Sequence, residues 1–386
     1  MKTFDQSVCR RGTGSYKWDD DASVDYPLWV ADMDFEACPA ILDALRKRVE
    51  HGVFGYSMPT DTFYEAIIGW HRSEHNVFYR REWMLTVPGI VPAISAILRA
   101  LTSPGEGVLL FSPAYNCFYS SIRNLQCRAE ESRLILSEGR FQIDFDDLEA
   151  RASLPDVRVM LLCSPHNPTG RVWTKEELTR VSQICLKHGV TVVADEIHCE
   201  LTMPGQTFLP YASLGEEVLQ RAIICTSASK AFNIAGLQNA QMIIADSVMR
   251  RQVDRAVNIH EVCDVNPIGI VATEAAYTGG KEWLVRLRQY IYDNYLAVSD
   301  YLSTHLPMLT VFPLEATYLL WVDISAITDD DKAFCSGLCK EKHVRFAPGS
   351  HYGTGGEGHI RINLATQRTE LLEAMRLLKS YIHPSE

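Results

Sequence analysis

The sequence predicts an α/β protein: a large domain built on a mainly parallel sheet covered by helices, carrying a smaller α+β domain. Three observations predict it. Runs that are apolar at nearly every position recur through the middle of the chain, which suits strands buried on both faces. Helices with readable ends separate those runs. The chain has 386 residues, 47% hydrophobic and 22% charged, enough for two domains with a sizeable core and too apolar for wholesale disorder.

The elements follow in order. Pro39–Glu50 reads as a helix, and Gly89 precedes another that opens at about Val91. Val108–Phe111, Val157–Cys163, Val190–Ala194, Ala222–Thr226 and Gln241–Ala245 read as strands. Thr174 and Glu177 form a capping box, Leu178, Val181, Ile184 and Cys185 make an apolar stripe, and Gly189 ends that helix. Asp246 reads as the N-cap of a segment running to Asn258. Beyond it, Lys281–His305 is one long helix. It is followed by a strand Leu319–Ile324, a helix Asp330–Lys342, a strand His359–Leu364 and a last helix Glu370–Ile382. The expected division is a large domain over 51–280, with a small domain that combines the N-terminal segment 1–50 and residues 281–386.

Net charge is −11, from 37 basic and 48 acidic residues, with no basic stripe. That argues against a nucleic-acid partner and makes a small molecule the default. The 11 cysteines are odd in number and scattered, with no C-x-x-C pair. No apolar leader follows Met1, and no window reaches the length of a membrane span. A reducing cytoplasmic compartment is expected. Two motifs are declined. Gly353 to Gly358 fits G-x-G-x-x-G but leads into a strand rather than a helix, so a loop is expected. His71-Arg72-Ser73-Glu74-His75 fits an inverted zinc-protease pattern, but a solvated helical face explains it and no metal is expected.

Four strand ends or turns carry polar groups that make sense together. Ser227-Ala228-Ser229-Lys230 offers hydroxyls for an anion beside an amine that can form a Schiff base with a carbonyl. Asp195 ends a buried strand, where an acid is costly unless paired, for instance with a protonated ring nitrogen. Asn167 lies in Ser164 to Gly170, a turn after a third strand. Gly89 at a helix start leaves backbone N–H groups free for a phosphate. A lysine for a Schiff base, an acid for a pyridinium and an anion cradle are what pyridoxal phosphate (PLP) needs of a protein.

With S-P-H-N-P-T-G, D-E-I-H and S-A-S-K in that order, the chain resembles the fold type I PLP enzymes of the class I/II aminotransferase superfamily. Trp29-Val30-Ala31-Asp32-Met33-Asp34-Phe35, Phe54-Gly55-Tyr56, Lys17-Trp18-Asp19 and Gly358 to Asn363 resemble the cystathionine β-lyase and cystalysin group of carbon–sulfur lyases. The resemblance implies a mainly parallel seven-stranded sheet in the PLP-binding domain. It implies that Lys230 holds the cofactor aldehyde and moves protons, Asp195 binds the ring nitrogen, and Asn167 the ring hydroxyl. Tyr115 would stack on the ring and border the substrate, with His198 also at the cofactor. Gly89, Ile90, Ser227 and Ser229 would hold the phosphate. Tyr56 would reach the site of a neighbouring subunit in a homodimer, and Arg361 would clamp the α-carboxylate of an amino-acid substrate. Gln238 stands where typical members have a phosphate-holding arginine, and His198 where they have a tyrosine, both in agreement with the lyase group. The expected activity is β-elimination of a thiol from cystathionine or an S-substituted cysteine, giving pyruvate and ammonia. The alternative is an aminotransferase, because both reactions begin by breaking the Cα–H bond. A regulator or scaffold would have no need of intact Lys230, Asp195, Asn167 and Arg361.

Overall fold

The computed structural model describes residues 4–259 and 264–383. Cys263 and the first three residues, which entered the compartment argument, lie outside them. A seven-stranded sheet forms the centre. Its strands are β1 (Met84–Val87), β2 (Gly107–Ser112), β3 (Arg128–Arg133), β4 (Val157–Cys163), β5 (Thr191–Asp195), β6 (Ala222–Thr226) and β7 (Ala240–Ile243). In space the order is β1-β7-β6-β5-β4-β2-β3. β7 runs antiparallel to both β1 and β6, and the other pairings are parallel.

Alternate side chains of each strand enter two separate cores. Val108, Leu110, Val159, Leu161, Val193 and Ile223 pack on one face. Leu109, Phe111, Met160, Leu162, Val192 and Ile224 pack on the other. Both faces are buried, which is why these strands read as unbroken apolar runs rather than as alternating ones. The sequence pattern missed β1 and β3, the two edges. β3 reads R-A-E-E-S-R, and charge on an edge strand discourages pairing with other chains while erasing the apolar signal.

The expected helices form with the expected caps. Here α1 is Pro39–Glu50, α2 Asp61–His75, α3 Ile90–Leu101 and α4 Asn116–Asn124. α5 spans Lys175–His188, with the complete Thr174–Glu177 capping box and Gly189 left-handed at its end. Asp246 accepts from Met249 N at 2.6 Å as an N-cap. α6 (Pro267–Gly279) packs on α1 and α2. It is followed by the 25-residue α7 (Lys281–His305).

A four-stranded antiparallel sheet lies beyond α7, with β8 (Thr310–Val311), β9 (Leu319–Asp323), β10 (Ala347–Pro348) and β11 (His359–Asn363). α8 (Asp331–Lys342) and α9 (Arg368–Ile382) pack on each other beside it. The glycine-rich run at 353–358 is a loop leading into β11. Gly353 has φ +86°, and the Tyr119 hydroxyl occupies the place where a Cβ would go. Glycine there answers a backbone need.

Candidate active site

The carboxyl ends of β4, β5 and β6 meet the N-terminus of α3 around a cavity of about 190 Å³. This is where open α/β sheets hold their ligands. Asp195 and His198 enter from the end of β5, Ser229 and Lys230 from the turn after β6, and Asn167 from the turn after β4. Gly89 and Ile90 bring the start of α3, and Tyr115 the residue before α4. Eight predicted residues thus share one wall, although they come from five separate stretches of chain.

Their chemistry is unsatisfied in a telling way. Asp195 is buried and, among the described residues, its carboxylate accepts only Ile197 N, at 3.2 Å. Burial pushes its carboxyl up to about 7, against the pull of Ile197 N–H and the Lys230 charge. A cation brought against it would restore its ionised form. His198 is also buried, its Nδ1 has no partner among the described residues, and burial with the Lys230 and Arg361 charges lowers it to about 3. The ring is therefore neutral. Lys230 Nζ donates to Ala31 O at 2.7 Å. Burial, followed by the Arg361 charge, lowers its pKa, so the free amine is easier to obtain.

Arg361 is buried rather than facing solvent. Its Nη1 donates to Asn167 Oδ1 at 3.0 Å and its Nη2 to Trp29 O at 2.9 Å. The guanidinium lies 4.8 Å from the centre of the Tyr352 ring. Two predicted residues stand apart. Tyr56 is 96% exposed and borders none of this cavity. Ser227 is buried behind it, where its hydroxyl donates to Asn239 O at 2.7 Å and accepts Ser229 N at 3.1 Å. With its one donor directed to the backbone here, Ser227 shapes the turn that carries Ser229 and Lys230.

Sequence reasoning missed several groups. Gln238, which stands where typical members carry an arginine, is exposed in a left-handed conformation, and the next residue, Asn239, lines the cavity. Asn239 Oδ1 accepts Gln241 Nε2 and Thr273 Oγ1 at 2.7 and 3.1 Å, leaving the Nδ2 donor buried without a partner among the described residues. Ala31 O receives the Tyr318 hydroxyl at 2.9 Å as well as Lys230. Asn363 Nδ2 donates to Val30 O and Asp32 O, both at 2.6 Å. These are backbone acceptors on a segment far away in sequence, which residue type cannot reveal.

That segment is itself anchored. Asp34 is buried and receives Lys17 Nζ at 2.7 Å, Trp18 Nε1 at 2.8 Å and Arg10 Nη1 at 2.8 Å, while Arg10 also pairs with Asp32 at 2.7 Å. Burial acts to raise the Asp34 pKa, but Lys17 and the hydrogen bonds overcome it and leave it lowered. Asp34→Asn should cost about 3–5 kcal/mol, because it strands buried cations. A lowered folded pKa stabilises above the unfolded value and the benefit is lost as pH falls. Urea unfolding should show the full deficit of the variant at neutral pH and a shrinking one below about pH 4.

The His71–His75 motif departs from expectation. It does not form a solvated face: His71 is 1% exposed and burial lowers its pKa to about 4. His75 Nε2 lies 2.7 Å from Glu200 Oε1, with Cys199 close by. The same oxygen accepts Trp70 Nε1 at 2.7 Å. The helix turns this face inward because Glu200 supplies a buried partner that local sequence does not display.

Over residues 27–378 the chain matches the model of aminotransferase class I and II. It belongs to that family. It is 37% identical to the cystathionine beta-lyase PatB of Bacillus subtilis, over 98% of this chain and 99% of the relative. The crystal structure of cystalysin from Treponema denticola, which contains pyridoxal 5'-phosphate, superposes with a TM-score of 0.97 at 31% identity, covering 100% of both chains. The PLP-bound C-S lyase from Staphylococcus hominis does so at 0.93 and 30% identity, again over 100% of both. The family is PLP-dependent, and this cavity fits that cofactor. Asp195 lacks a cation, Asn239 Nδ2 lacks an acceptor, and Lys230 brings a primary amine.

Proposed function

We propose that the chain is a PLP-dependent carbon–sulfur β-lyase that eliminates a thiol from cystathionine or another S-substituted cysteine. The observation that carries this reading is the near full-length likeness to PatB, joined to a lysine and an acid at one cavity and an arginine that donates to Asn167 of its wall. Bound cofactor supplies an electron sink for the carbanion formed at Cα. The protein's own groups do the rest. Arg361 holds the α-carboxylate, with its guanidinium pre-set by Asn167 and Trp29 O. Lys230 Nζ, with its lowered pKa, takes the Cα proton. Asp195 would keep the ring nitrogen of the cofactor charged, and Tyr115, in the same wall, would stack on the ring. Gly89, Ile90, Ser229 and the unpartnered Asn239 Nδ2 would hold the phosphate, with Ser227 in the turn beside them. The thiolate leaves Cβ with the bonding pair and needs little acid help. The remaining three-carbon fragment takes up water and yields pyruvate and ammonia. Incubation with S-alkyl cysteine, scored for free thiol and pyruvate together, tests the reading. Equal amounts of both are expected, and neither appearing would overturn it.

We read the assembly as a homodimer. Val53, Phe54, Tyr56 and Met58 are 55–96% exposed, an apolar stretch that suits docking on a second copy. Tyr56 would then complete the neighbour's phosphate site. Mixing inactive Tyr56→Ala with inactive Lys230→Ala should restore turnover, because a hybrid pair contains one intact site. No recovery after subunit exchange would contradict the shared site. We divide the chain into a large domain at 51–280 and a small one from 1–50 and 281–386. Tyr26–Pro27 pairs with Val344–Arg345 in support, and α1, which packs on α6, lies at the junction. We place the protein in the cytoplasm, since ten described cysteines are free thiols. No described helix is long and apolar enough to cross a membrane.

A further inference from the structure

The turn after β5 presents Asp195 and His198 to the catalytic cavity, then continues into a second group of reactive side chains. One ligand atom from each of His75, Cys199 and Glu200 lies within 4.8 Å of the other two. None of the three lines the catalytic cavity. Cys199 and Glu200 are buried, and no lysine or arginine pairs with Glu200 among the described residues. Its Oε1 instead takes three groups at once: His75 Nε2 and Trp70 Nε1 at 2.7 Å, and Cys199 Sγ at 3.5 Å. A carboxylate oxygen offers about two lone-pair sites, fewer than these three groups need.

A separate observation points the same way. His71 Nε2 and the Tyr79 hydroxyl are buried and have no partner among the described residues. The His71 ring centre lies 5.7 Å from that of His75 and 5.2 Å from that of Tyr79. A buried polar atom is costly unless water or an ion meets it. The acid of the His71–His75 motif takes no part: Glu74 pairs with Lys281 at 2.7 Å. The helix therefore contributes histidine to this group, while the carboxylate and the thiol come from the turn after β5.

We propose that His75, Cys199 and Glu200 bind a zinc ion, with a water in the fourth position bonded by His71 Nε2. Imidazole, thiolate and carboxylate are zinc's own donor set, whereas magnesium and calcium require oxygen throughout. Bonds of about 2.0–2.3 Å set tetrahedral donors roughly 3.3–3.8 Å apart, so these three atoms need shift by only about an ångström. The thiolate and the carboxylate together cancel the charge of a divalent ion, which leaves the filled site neutral where it is buried. The Cys199 proton passes to solvent as the Zn–S bond forms. His75, the last residue of α2, keeps 8% of its side chain exposed and gives the ion a way in. The ion ties the end of α2 to the turn that carries Asp195 and His198. It is a structural site, and no step of the elimination runs through it.

The test dialyses the holoenzyme against a chelator, then titrates it with zinc sulfate in competition with a chromogenic chelator. The native chain should take up one equivalent at micromolar free zinc or below, and its thermal midpoint should rise. Cys199→Ser should weaken uptake by more than about 100-fold, beyond the loss caused by removing an outer partner. His75→Gln, which leaves the buried Cys199 untouched, should show the same loss and guards against a folding defect at that position. Cys9→Ser, at an exposed thiol, should bind as the native chain does. No uptake by the native holoenzyme, or uptake that survives both Cys199→Ser and His75→Gln, would overturn the site.

Discussion

Lys230→Ala should lose turnover by about 10⁴-fold, the scale set by removing a positioned proton-transfer group, and more if the covalent hold on the cofactor is counted. Two signals separate this from misfolding. The absorbance band near the visible edge, present in the native holoenzyme, should vanish. Thermal stability should change little, because the side chain contributes one hydrogen bond, to Ala31 O at 2.7 Å, worth about 1 kcal/mol. Retained absorbance with retained turnover would remove Lys230 from the mechanism.

Asp195→Asn should cost about 10²–10³-fold in kcat, the usual loss when one preorganised electrostatic partner is removed. An amide is neutral and cannot hold the ring nitrogen charged. The same variant has a second signature in the cofactor-free protein. Burial raises Asp195 to about 7, so the folded state binds its proton more tightly than the unfolded chain does. Stability from this group is full at low pH and is lost as pH rises from about 4 to about 7. Glu196, buried beside it and pushed up to about 8, acts in the same sense. The amide that replaces the acid does not titrate. The variant should therefore gain on the native apo-protein as pH rises from about 5 to about 8, read by thermal unfolding. An unchanged difference across that range would mean that Asp195 is not a buried, unpaired acid.

The parts of the site that lie at strand ends were legible in the sequence. Asp195, Asn167, Ser229 and Lys230 each follow a strand visible as an apolar run, and sheet geometry then brings the strand ends together. Interior strands betray themselves because both faces are buried, whereas β3 at the edge is charged and does not. What stayed hidden depends on tertiary contact. Asn239 lines the cavity through a side chain held by Gln241 and Thr273, contacts that residue type does not display. The carbonyls of Trp29 and Ala31 carry no residue signature, yet they hold Arg361 and Lys230. Likewise, His71 and His75 read as solvent-facing because Glu200, which lies 125 residues from His75 in sequence, gives no local hint of itself.

The central claim concerns the fate of the amino group after the Cα–H bond breaks. The most direct measurement supplies the holoenzyme with an S-substituted cysteine and a 2-oxo acid together, and follows thiol, pyruvate, ammonia and the new amino acid in one reaction. Elimination predicts thiol, pyruvate and ammonia in equal amounts, with no amino acid formed from the 2-oxo acid. Transfer of the amino group to the 2-oxo acid, with the carbon–sulfur bond intact, would contradict it.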